Sequence, residues 1–116
     1  MGNVYIVCEP TDTVAGIQRS KIDMTPAREY GELIVLLPSS QSLLSTVPTV
    51  RTLKEKLRNF TDEDYILPVG DPVLMSTVAM IAASQNGGKV KFLKWDKPTR
   101  RYFSIQVDTS GKATRT

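Results

Sequence analysis

The strongest constraint on this chain is a rhythm. Short, apolar, largely β-branched runs recur along it, separated by stretches with helical spacing or helix-start chemistry. "VYIVC" (Val4–Cys8), "LIVLL" (Leu33–Leu37) and "YILPV" (Tyr65–Val69) are each five residues long. They are too short for helices and read as strands, "VYIVC" as a buried one. "KVKFLKW" from Lys89 and "RRYFSIQVD" from Arg100 flank the turn "DKPT" and read as an antiparallel hairpin. Pro68 lies inside the third run and cannot donate to a ladder, so a bulge or an unpaired position is expected there.

Between the strands come helices. In "TPAREYG", Thr25 can cap, Pro26 suits the first helical position and Gly31 can end a single turn. In "PTVRTLKEKLRNF", Val50, Leu53, Leu57 and Phe60 form one apolar stripe, with Arg51, Lys54, Glu55, Lys56 and Arg58 on the other faces. A third helix is predicted from Pro72 to about Ser84, closed by Asn86-Gly87-Gly88. Residues 11–25 are polar without clear period and read as a loop. The order β, short α, β, α, β, α, β, β predicts an α/β fold. It is a single compact domain over residues 1–108 with a mostly parallel five-stranded sheet, an antiparallel C-terminal hairpin and two main helices. Residues 109–116 are small and polar and read as a flexible tail.

The junction "VGDPV" invites a ligand-loop reading. A dinucleotide fingerprint needs three spaced glycines and a phosphate loop needs Gly-Lys-Ser/Thr; here there is one glycine, no lysine, and a carboxylate where a phosphate would sit. Helix-start chemistry accounts for each residue: Gly70 permits the exit, Asp71 caps, and Pro72 takes the first helical position. In open parallel sheets ligands bind beyond the carboxyl ends of the strands. Those ends carry Glu9, Ser39, Ser40, Gly70 and Asp71, a polar rim for a small molecule or a magnesium ion on Glu9 and Asp71.

Composition narrows the chemistry. The chain has no histidine and one cysteine, Cys8. This removes His-assisted nucleophiles, His-based zinc sites and an internal disulfide. No spacing marks a catalytic, metal or cofactor site, so none is assigned. No run reaches membrane-spanning length, and the start lacks the basic segment of a secretion signal, so no membrane role is expected. The formal charge of +3 is uneven. Residues 89–116 carry eight Lys or Arg against two Asp, a net +6, and residues 1–88 carry a net −3. Lys91, Lys94, Arg100 and Arg101 interleave with Trp95, Tyr102 and Phe103, a pattern that serves nucleic acid or else protects a sheet edge. The helix "PVLMSTVAMIAAS" is apolar nearly all round. Its Leu74, Met75 and Met80 are candidate contacts for a second copy or a host protein.

Three stretches, "DMTPAREYGEL", "DYILPVGDPVL" and "VKFLKWDKPTRRYF", together resemble the matching blocks of a family of small proteins encoded by tailed bacteriophages. The resemblance covers most of residues 4–107 in the same block order and leaves out 11–21 and the tail after Asp108. It brings no catalytic residue with it. It implies a phage accessory protein acting in the host cytoplasm, for which binding to a host protein or to itself is the leading expectation. Nucleic-acid binding through the hairpin, and small-molecule or nucleotide binding at the strand ends, are the alternatives.

Overall fold

The computed structural model describes residues 2–8, 11–14, 17–20, 23–37 and 46–111. The strands are β1 (Asn3–Cys8), β2 (Thr11–Val14), β3 (Ile17–Ser20), β4 (Glu32–Leu37), β5 (Tyr65–Leu67), β6 (Lys89–Asp96) and β7 (Arg101–Asp108). The helices are a 3-10 helix at Thr25–Tyr30, α1 (Thr46–Lys56) and α2 (Pro72–Gln85). Five strands form one sheet in the order β4-β1-β5-β6-β7. β1 pairs in parallel with β4 and β5, so Ile6 lies between Val35 and Leu67. β5 pairs in parallel with β6 at Ile66 and Phe92, and β7 returns antiparallel along the whole of β6. The α/β class, the parallel sheet and the C-terminal hairpin follow the expectation from the sequence.

The layers follow from strand order and chirality. The chain leaves β1 for β4 in one direction, then recrosses β1 to reach β5 and β6. Right-handed crossovers put connections of opposite direction on opposite faces of a sheet. Accordingly, Leu53, Leu57 and Phe60 of the α1 region and Leu74, Val78, Ile81 and Ala82 of α2 pack on one face, against Tyr5, Val7, Ile66 and Val90. Met24 and Ala27, at the 3-10 helix, pack on the other, against Val4, Ile6, Leu67, Leu93 and Tyr102. β1 has both faces buried, which is why its sequence is continuously apolar.

Four local expectations change. Residues 11–20 are not all loop: β2 and β3 pair as a separate antiparallel hairpin, with Thr11 opposite Ser20 and Val14 opposite Ile17. Their mostly polar residues hid the strand period, although Thr, Val and Ile suit extended backbone. Thr25 does not cap. Its amide donates to Asp23 Oδ1 at 3.0 Å, and the helix it begins is 3-10. The stripe Leu53, Leu57 and Phe60 is buried, but α1 ends at Lys56. The chain then tightens, with the Phe60 amide donating to the Leu57 carbonyl at 2.9 Å. β5 stops at Leu67, so Pro68 falls outside the ladder and the strand sits in the middle of the sheet without a bulge.

Helix α2 has the expected ends. Asp71 Oδ2 accepts hydrogen bonds from the Val73 and Leu74 amides at 2.8 and 3.2 Å. At the other end Gly87 takes φ of +62° and the Gly88 amide donates to the Ala83 carbonyl at 2.7 Å. That bond closes the helix as a left-handed glycine turn does.

Candidate docking surface on the carboxyl-terminal hairpin

The β6–β7 hairpin is built from eight facing pairs, from Lys89 with Asp108 to Asp96 with Arg101. Facing residues share a side of the sheet. Lys91, Leu93 and Trp95 therefore lie with Gln106, Ser104 and Tyr102 on the 3-10 side. Val90, Phe92 and Lys94 lie with Val107, Ile105 and Phe103 on the helix side. On the 3-10 side the hairpin is held down. The Tyr30 hydroxyl donates to the Tyr102 carbonyl at 2.8 Å, and Arg101 bonds both carboxylate oxygens of Glu29 at 3.1 and 3.2 Å. Burial pushes the Tyr102 phenol above its ordinary range, and burial, then the neighbouring Glu29 charge, does the same to Tyr30.

The helix side of β7 has no such cover. A hairpin has no crossover, so no helix is deposited over its last strand, and α2 lies over β1 and β6. Phe103, Ile105 and Val107 are left 41, 40 and 40% exposed. The strip continues onto α2 through an open groove of about 620 Å³ lined by Met80, Ala83, Val90 and Val107. A second groove of about 1270 Å³ lies where β5 ends and β6 runs on. Leu67, Val69 and Ile105 line it, with Lys94, Lys97 and Arg100 as its cations and Asp23 as its acid.

The residues singled out from the sequence fall in different places. Leu74 is in the core at 5% exposure, Met75 is partly buried against it, and Met80 projects at 65%. Among the basic and aromatic hairpin residues, Lys91 Nζ sits 4.3 Å above the Tyr65 ring and Trp95 packs edge-on against Tyr102 with centroids 4.9 Å apart. Arg101 is tied to Glu29, Lys94 is on the opposite side of the sheet, and Arg100 occupies the turn at φ of +54°. The hairpin thus spreads these five over two faces and a turn. Gly70 has φ of +106° and passes so close to Cys8 that a Cβ on it would stand 2.9 Å from the Cys8 Cβ. Glu9, Ser39 and Ser40 lie outside the described residues, so the proposed rim is represented by Gly70 and Asp71 alone. Ile105 and Val107 were not expected as a surface, and Phe103 was expected as one only in the nucleic-acid reading. Their strict alternation with Ser104 and Gln106 was the available signal; whether a helix would cover them was not readable.

A comparison with protein families matches residues 2–109, nearly the whole chain, to the phage Pam3 gp32-like proteins. The chain belongs to the phage Pam3 gp32-like protein family. Membership bears out the phage resemblance read from the three sequence blocks. No curated protein and no solved structure matches this family member. Among the described residues, no helix is long and apolar enough to cross a membrane, and no group of three or more Cys, Asp or Glu residues is placed to hold a metal ion.

Proposed function

We propose that this phage protein works in the host cytoplasm by binding a protein chain, without catalysing a reaction, and that the contact surface is the helix side and free edge of β7. The observation that carries this reading is the exposure of Phe103, Ile105 and Val107 on a strand with no helix above it. A contiguous apolar strip on a small domain marks an interaction site. Met80 extends the strip across the groove that it shares with Val107.

The test is a phage carrying Ile105→Asp in its own gene. Ile105 is partly exposed, so the variant folds, which circular dichroism of the purified protein checks. Infection efficiency then falls below wild type. A folded variant with wild-type infection would remove the strip as the functional surface. Nucleic-acid binding remains the second reading, supported by exposed Lys94, Lys97 and Arg100 around the larger groove. It requires a gel shift that weakens steeply with salt and is lost when the three are replaced by Gln.

A further inference from the structure

We infer that β7 pairs with β7 of a second copy, antiparallel about a twofold axis at Ile105, to make one continuous ten-stranded sheet. This deepens the protein-binding reading by naming the partner, and it rests on that reading.

The hydrogen-bond parity of the edge decides the register. The Thr109 amide donates to the Gly88 carbonyl at 2.7 Å. Hydrogen-bonded and non-hydrogen-bonded pairs alternate along an antiparallel ladder. The main-chain groups of Phe103, Ile105 and Val107 therefore face β6, and those of Tyr102, Ser104 and Gln106 face outward. The Tyr102 carbonyl is taken by Tyr30, next to the Arg101–Glu29 pair, so the 3-10 helix guards the start of the edge only. From Phe103 to Val107 there is no proline and no charged side chain, the devices that normally blunt an edge. The opposite edge strand differs: Lys56 of α1 donates to the Leu36 carbonyl of β4 at 2.6 Å.

A continuous sheet keeps facing residues on the same side, so only registers that pair like faces are allowed. In the register centred on Ile105, Ser104 faces the partner's Gln106 and exchanges two main-chain hydrogen bonds, as does the symmetric pair. Ile105 faces Ile105 of the partner subunit, and Phe103 faces the partner's Val107. Every apolar side chain of the strip meets an apolar one, and every polar one meets a polar one. The pairing also covers the flank that leaves all three apolar residues about two-fifths exposed. Strand addition at a sheet edge is an established mode of protein recognition.

Purified full-length protein at about 50 μM, read by size exclusion with light scattering, is a dimer. Ile105→Lys, which sets two ammonium groups face to face, is a monomer with wild-type circular dichroism. Gln106→Pro removes an outward amide and no bond to β6, and is likewise a folded monomer; Ile105→Lys decides if the proline variant fails to fold. Single cysteines read the register. At a non-hydrogen-bonded pair the Cα atoms stand about 4.5 Å apart, within disulfide reach. Under mild oxidation Ile105→Cys forms a covalent dimer, whereas Ser104→Cys, Gln106→Cys and the wild type do not. A monomeric wild type overturns the pairing, and so does cross-linking through Ser104→Cys or Gln106→Cys in place of Ile105→Cys. A monomer whose Ile105→Asp phage is still defective would sink the pairing while leaving the binding surface standing.

Discussion

Asp64 is the residue whose removal should tell most about what holds this fold. It sits in an acidic turn yet is only 5% exposed. Its Oδ1 accepts from the Asn3 amide at 2.8 Å, and its Oδ2 accepts from the Thr61 amide at 2.8 Å and the Thr61 hydroxyl at 3.3 Å. The carboxylate thus ties the start of β1 to the turn that launches β5, 61 residues later. The tie is close-packed: a Cβ on Gly2 would stand 1.7 Å from the Glu63 carbonyl oxygen. Asp64→Ala leaves two part-buried amides without partners. An unsatisfied buried group costs about 1–3 kcal/mol, so a loss of about 3 kcal/mol is expected for the pair. Asp64→Asn keeps one acceptor oxygen and should lose about half as much. Urea denaturation followed by circular dichroism measures both, with exposed Glu63→Ala as control. At about 2 kcal/mol per molar of urea, the alanine midpoint falls by roughly 1.5 M with unchanged slope. An Asp64→Ala protein within about 0.5 kcal/mol of the Glu63 control would refute the reasoning.

Asp71→Ala should destabilise by about 1 kcal/mol in the same assay, and Asp71→Ser by less, because serine also accepts from the first-turn amides. Gly70→Ala combines φ of +106° with a 2.9 Å approach to Cys8; strain of about 1–3 kcal/mol plus overpacking should make it the more damaging change, visible as a lowered Tm. Tyr30 and Tyr102 have raised pKa values, so folding favours their protonated forms. Their contribution is fully present below the unfolded value of about 10 and is lost as pH rises through the folded values. Urea midpoints measured from pH 8 to 11.5 should hold level and then drop, with tyrosinate absorbance rising late.

Most of the sheet was legible because its central strands are buried on both faces. Nothing polar interrupts Val4–Cys8, and the hairpin carries its own turn chemistry. Pro68 misled only about length: the expected strand was five residues, and dropping the last two removes the conflict. The 11–20 hairpin was missed because its Asp, Gln, Arg and Ser side chains do not alternate with apolar ones, and backbone pairing leaves no hydropathy signature. The surface was harder. Leu74 and Met75 looked like partner contacts because α2 is apolar all round, but one flank of that helix is core. Trp95 and Lys91 looked available until their rings and charges proved engaged with Tyr102 and Tyr65. Exposure of a strand face depends on whether another element is laid over it, and that is decided by connections between elements rather than by the strand's residues.

The placement of β5 also sets an order of events during synthesis. The middle of the sheet is filled by a three-residue strand, and β1 waits for it across 61 residues. At about 5–20 residues per second of elongation, the N-terminal strand is made roughly 3–12 s before its central neighbour exists. For that interval "VYIVC", β-branched, uncharged and free of proline, has at most β4 to pair with and keeps one edge open. Such a segment is the kind that seeds aggregation. The speed at which residues 33–67 are translated therefore governs the yield of folded protein, and slowing the ribosome there should lower solubility without altering the finished molecule.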